Sequence, residues 1–217
     1  MNLLYIFGFP LLIYLINTFI NKNNFLPSLS GEKHQLFAST KSISLSGGII
    51  MLFTFFLITS FSINLYYIFF IIIFLLGFFS DLKIIISPRL RFVLQILFIF
   101  LFLFYQYLQI SNVRISFIDQ LLEYKNFSYV FVIFCILIVV NGTNFIDGLN
   151  GLVLGYFFII LLTLYNLDLL QNTNISKTEL EYFLIFLFYL LLFNLFNKLY
   201  IGDSGSYFLG FVFGALL

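Results

Sequence analysis

The chain has 217 residues, 62% hydrophobic and 9% charged, with mean hydropathy +1.11. A soluble domain carries about 25% charged residues, so this chain cannot cover itself with a solvated surface and must use lipid as part of its solvent. The net charge of +1 excludes a polybasic surface for nucleic acid, and the one cysteine, Cys135, excludes an internal disulfide and a Cys/His zinc site.

The N-terminal stretch from Met1 to Lys22 has no basic region ahead of its apolar run and no small-residue cleavage site, so it reads as a retained first span. A bilayer core needs about 20 apolar residues per helix. Apolar runs broken by charge, Pro or Asn then predict spans at 2–20, 46–63, 65–79, 92–110, 127–141, 152–170, 180–196 and 205–217. Backbone groups in lipid must be satisfied within the segment, and runs such as Tyr66 to Phe79 lack the alternation of a barrel strand. The expected fold is all-α: a polytopic helical bundle of about eight spans. It forms a single transmembrane domain over residues 1–217, with polar loops near 21–45, 80–91, 141–151 and 197–205.

Eight spans put the loops alternately on two sides. One side holds Lys22, Lys33, Lys41, Lys83, Arg89, Arg91 and Lys198; the other holds Arg114, Lys125 and Lys177. The richer side is expected to be cytoplasmic. Asp119, Glu123, Asp168, Glu179 and Glu181 fall in outer loops and read as solvated charges. The cytoplasmic side has Glu32, Asp81, Asp147 and Asp203, three of them at span edges with little polar sequence around them. An acid there is costly unless paired, hydrated or metal-bound, which makes these three functional candidates. Three carboxylates on one face suggest a divalent cation with hard oxygen ligands, and Mg²⁺ suits that set.

Four segments on that side carry chemistry. Gly31-Glu32-Lys33-His34 precedes Ser44-Leu45-Ser46-Gly47-Gly48; by itself the histidine reads more often as a plain surface residue, and the glycine pair equally as helix packing. Gly77 to Lys83 and Ser87 to Arg91 put Asp81 among three cations; membrane anchoring explains Arg89 and Arg91 but not the acid. Asn141 to Leu152 sets three asparagines, one aspartate and three glycines into apolar sequence, more hydrogen-bonding groups than a turn needs. Gly202-Asp203-Ser204-Gly205-Ser206 opens a span, where free N–H groups suit an anion and Asp203 suits a cation.

At these residues the chain resembles the polyprenyl-phosphate N-acetylhexosamine-1-phosphate transferases. Asn144 to Leu152 resembles the family's N-x-x-D-G-x-[DN]-G-L, Gly202 to Ser206 its G-D-[TS]-G-S, and Gly77 to Gln95 its D-D-L…S-P…R…Q segment. Three features depart from the pattern. The paired aspartates appear as Ser80-Asp81, the second Asp of D-G-x-D-G is Asn150, and Lys41 to Ser44 replaces the usual Pro-Thr-Pro. These departures point to the branch that initiates O-antigen and related polysaccharides. Relatives continue past the position of Leu217 with further spans and a loop rich in His and Arg, so the chain is expected to be a fragment or a shortened, inactive relative.

The resemblance implies transfer of HexNAc 1-phosphate from a UDP-HexNAc to polyprenyl (undecaprenyl) phosphate in the bacterial inner membrane, with release of UMP. It implies Mg²⁺, with Mn²⁺ as a substitute, bound by Asp203. Asp81 is expected to deprotonate or orient the lipid phosphate. Asp147, also assigned to the catalytic set, would shape the sugar-nucleotide pocket with Asn141, Asn144 and Asn150. Lys33, His34, Gly202 and Ser204 would meet phosphate oxygens. With no acid at position 80, Asp81 should stay ionised to lower pH unless burial offsets the gain. Expected partners are the UDP-sugar, the lipid phosphate, the membrane and a second copy in a homodimer. A transporter is the rival class, but it would place such residues at mid-span, whereas here they cluster at span ends.

Overall fold

A computed structural model describes residues 3–27, 43–59, 65–106, 108, 110, 112–167 and 176–216. Among them are helices α1 (Leu3–Lys22), α2 (Gly47–Ile58), α3 (Leu65–Asp81), α4 (Pro88–Gln106), α5 (Ser116–Leu122), α6 (Lys125–Ile146), α7 (Leu152–Asn166), α8 (Lys177–Leu195) and α9 (Gly202–Leu216). Every expected span has its helix. The short α5 falls in what the sequence suggests is a plain connection.

The bundle is built around α9. From Gly202 to Phe213 all residues but Asp203 are buried, with α3, α6 and α2 packed around them. Lipid offers no hydrophobic force between helices, so close approach must supply the packing. Glycines provide it. A Cβ at Gly77 would lie 2.4 Å from the Asp203 carbonyl oxygen, one at Gly48 2.2 Å from Ser204 Oγ, and one at Gly210 2.7 Å from Val140 Cα. Farther along α9, Phe211 meets Phe102 and Phe70 edge-on at 5.0 and 5.3 Å, and Phe213 meets Phe157 at 4.4 Å. Such ring pairs contribute about 0.5–1.5 kcal/mol beyond their burial. Facing outward are Phe104, Phe134 and Ile159, all exposed, as lipid-facing side chains are.

Four helices, α1, α4, α6 and α8, are long and apolar enough to cross a bilayer, while α2, α3 and α7 are shorter apolar helices. A 15-residue helix such as α9 rises only about 22 Å. Wrapped in other helices, it meets no lipid along most of its length, so its length is not set by the bilayer.

Several helices overrun the apolar runs that predict them. Helix α4 starts at Pro88, where fixed φ and the missing N–H suit the first helical position, so Arg89 and Arg91 lie in its first turn. Helix α6 continues through Asn141 and Asn144 to Ile146, and α9 begins at Gly202. Arg91, Asn141 and Asn144 each find a partner on another helix, which removes the reason for the helix to stop.

Among the described residues, the motif-bearing ends meet at one end of the bundle. Ser44 to Gly48 runs beside Leu199 to Ile201. Tyr200 N donates to Ser44 O at 3.0 Å, Gly47 N to Tyr200 O at 2.9 Å, and Gly48 N to Ile201 O at 3.1 Å. The buried Asn17 of α1 ties this pair down, donating to Lys198 O at 3.0 Å while its Oδ1 accepts from Ser44 and Ser46.

Candidate active site

The centre of the polar end is the carboxylate of Asp203, in the first turn of α9. Ser80 of α3 donates its hydroxyl to Asp203 Oδ2 at 2.5 Å, and Arg91 of α4 donates from Nη1 to the same oxygen at 2.5 Å. Arg91 Nη1 also reaches Ser80 Oγ at 2.5 Å. Among the described residues, the buried Arg91 Nε has no hydrogen-bond partner. Three helices thus converge on one oxygen, and Asp203 keeps 28% of its side chain exposed.

Asp81 does something the sequence does not suggest. Its Oδ1 accepts from the Asp203 N–H at 2.8 Å and its Oδ2 from the Ser204 N–H at 3.0 Å. The free donors at the start of α9, expected to hold a substrate anion, are met by this carboxylate from α3. Gly202, at φ +70°, gives it room, since a Cβ there would lie 2.8 Å from Asp81 Oδ2. Gly202 and Ser204 are buried, with Ser204 against Gly48 rather than on an open face.

Asp81 lies two residues past the apolar run that ends at Phe79. Burial, and then the charge of Asp203, push its carboxyl up to about 6. Burial therefore offsets the gain expected from losing the neighbouring acid, and Asp203 supplies a like charge from another helix. Asp147 follows α6 and is pushed well above the usual carboxylate range by burial and by the charges of Asp203 and Asp81. Among the described residues no three acids gather as a metal cage, because Asp81 turns its oxygens to the α9 backbone.

The asparagines form seams between helices. Asn141 donates to Gln95 Oε1 at 2.7 Å, joining α6 to α4. Asn144 donates to Tyr207 Oη at 3.3 Å and accepts from Ser206 Oγ at 3.2 Å, joining α6 to α9. Asn150 donates to Asn197 Oδ1 across the mouths of α7 and α8. Nearby, the buried Asn194 accepts from Gly151 N at 2.6 Å and donates to Leu199 O at 3.0 Å. Lys33 and His34 lie outside the described residues. Sequence reasoning missed Tyr207 and Asn194 as members of this end, and it placed Arg91 and Ser80 here without giving either a role in the site. The signal for Arg91 was present: it stands three residues after a helix-opening proline, on the face shared with Gln95.

A groove of about 520 Å³ lies between α1 and α8 at the same end, lined by Asn17, Asn21, Asn197 and Lys198 among others, and by none of the acids above.

An all-helical bundle with long apolar helices, and a carboxylate held by a serine and an arginine at one end, defines a membrane protein with a polar site at the edge of its lipid-facing body. The chain belongs to glycosyl transferase family 4, whose model matches residues 63–217. It is thus a transferase of sugar-bearing groups in a membrane, and the matched range holds all the described site residues. No match was found in a comparison with curated proteins.

Proposed function

We propose that this protein moves a HexNAc 1-phosphate from a UDP-HexNAc to polyprenyl phosphate, as the first step of a cell-envelope polysaccharide, at the cytoplasmic face of a bacterial inner membrane. An oxygen of the lipid phosphate attacks the sugar-bearing phosphorus. A P–O bond forms there, the bond bridging the two phosphorus atoms breaks, and UMP leaves. What carries the reading is the Asp203 carboxylate, fixed by Ser80 and Arg91 at the polar end of a family 4 bundle.

The reaction brings two anions together, so charge neutralisation is the main task. A single partly exposed carboxylate fits Mg²⁺, which usually takes one or two carboxylates with substrate phosphates and water. Asp203 would hold it, and the bound ion would neutralise phosphate charge. Arg91 lies beside Asp203, where its guanidinium would add positive charge facing a phosphate. Asp147, with Asn144 and Asn150, would border the sugar-nucleotide pocket, and Asn141 would steady that wall through Gln95. Two roles fit Asp81: a base for the lipid phosphate, and the cap of α9.

The test is UMP release by the full chain in lipid nanodiscs, with UDP-GlcNAc as the first donor and the other UDP-HexNAcs after it. Asp203→Asn should lower the rate about 100- to 1000-fold, the usual cost of one strong transition-state contact. Release near the parent rate would remove Asp203 from the site. No release by the parent with any UDP-HexNAc would overturn the substrate assignment.

A further inference from the structure

We propose that Asp81 is a positioning residue: it clasps the Asp203 and Ser204 N–H groups in the first turn of α9 and so sets the direction in which Asp203 presents its carboxylate. The inference rests on the reading of Asp203 as the cation ligand given above.

Three observations carry it. Both Asp81 oxygens are used, one on the Asp203 N–H at 2.8 Å and one on the Ser204 N–H at 3.0 Å. A carboxylate so placed faces the positive end of the α9 dipole and fills two of the orphan donors of the first turn. Next, the surroundings leave it no other place. The ideal Cβ of Gly202 would lie 2.8 and 3.0 Å from its two oxygens, and that of Gly77, four residues earlier on α3, would lie 2.4 Å from Asp203 O. Helix α3 thus meets the start of α9 through its backbone at Gly77 and through the Asp81 side chain at Gly202. Finally, the neighbouring Ser80 holds the Asp203 side chain. Consecutive residues of α3 therefore grip the same residue of α9, Ser80 by its carboxylate and Asp81 by its backbone. The direction of the Asp203 side chain is fixed at both ends from one helix.

A base and a clasp make opposite demands on position 81. A base needs charge, so Glu should serve better than Asn. A clasp needs reach, so Asn, which keeps the length and one acceptor oxygen, should serve better than Glu, which adds a methylene where Gly202 leaves none. A purely long-range effect of charge on a bound cation would also favour Glu.

The experiment is a Mn²⁺ titration followed by electron paramagnetic resonance on the full chain in nanodiscs. It compares the parent with Asp203→Asn, Asp81→Asn, Asp81→Glu and Asp81→Ala, with thermal midpoints measured alongside. Loss of a helix cap corresponds to about a three- to tenfold change in an equilibrium. Asp81→Asn should weaken Mn²⁺ binding by about threefold, and Asp81→Glu and Asp81→Ala by about tenfold or more. Where Asp81→Ala fails to fold, the isosteric Asn against Glu ranking decides alone. Glu binding Mn²⁺ as tightly as the parent, or better than Asn, overturns the clasp. So does parent-like affinity in every Asp81 variant. Parent-like affinity in Asp203→Asn removes the metal reading, and the inference falls with it; the two failures are told apart by which variant is silent.

Discussion

Arg91 and Asp203, 112 residues apart in sequence, meet at 2.5 Å where the first turns of α4 and α9 come together. The pair is largely covered, with 18% of the Arg91 side chain and 28% of the Asp203 side chain exposed. It binds a helix end to the centre of the bundle.

Removing Arg91 leaves a partly buried carboxylate without its cation. Hydrogen bonds to charged groups contribute about 1.5–3 kcal/mol. Arg91→Met should therefore lower stability by about 1–3 kcal/mol, and Arg91→Lys by less. Ser80→Ala removes a second hydrogen bond to the same carboxylate and should cost about 1.5 kcal/mol. Denaturation midpoints in mild detergent measure both. A Met variant as stable as the parent would show that the pair contributes nothing to the fold.

The glycines around α9 allow a steric prediction. At Gly77 an added Cβ meets backbone, 2.4 Å from Asp203 O; at Gly8 it meets nothing within 4 Å. Overpacking costs about 1–3 kcal/mol, more where the obstacle is backbone. Gly77→Ala and Gly48→Ala should each lower the thermal midpoint and weaken Mn²⁺ binding, whereas Gly8→Ala should leave both unchanged. Equal behaviour of Gly77→Ala and Gly8→Ala would mean that α3 and α9 do not approach as described.

Stability should depend on pH through Asp81 and Asp147. The Asp81 carboxyl is raised from an ordinary 3.8 to about 6, so the folded protein holds this proton more tightly than the unfolded chain does. Its stabilising contribution is full below pH 3.8 and is lost as pH rises through about 6. Asp147 is shifted in the same direction. With divalent cations chelated, the thermal midpoint should rise as pH falls from about 7.5 to about 5. Asp81→Asn and Asp147→Asn should each flatten part of that slope. A parent midpoint that falls over this range would contradict both shifts.

Topology is tested by labelling. Ser87 precedes α4 and Asn112 follows it, so the two stand at opposite ends of a helix long enough to cross a bilayer; Asn197 shares the end of Ser87. In a chain with Cys135 replaced by Ala, cysteines at Ser87 and Asn197 should react with an impermeant thiol reagent from the same side, and a cysteine at Asn112 from the other. Labelling of Ser87 and Asn112 from one side would break the helix order.

Sequence alone determined the lipid solvent, the helical class and the order of the spans. These follow from the scarcity of charge and from runs of apolar residues, properties that each segment carries by itself. It also singled out Asp81, Asp147 and Asp203, because an acid beside an apolar run stands out without any partner in view. Where helices end was less legible: Asn141, Asn144, Asp203 and Arg91 look like loop residues until the neighbouring helices that satisfy them are present. The tertiary structure alone decided which groups meet. Whether Asp81 faces a substrate or the backbone of α9 depends on the close backbone approach allowed by Gly77 and on the space left by Gly202, more than 120 residues away in sequence. Contacts of that kind are set by packing between distant segments, and no local pattern encodes them.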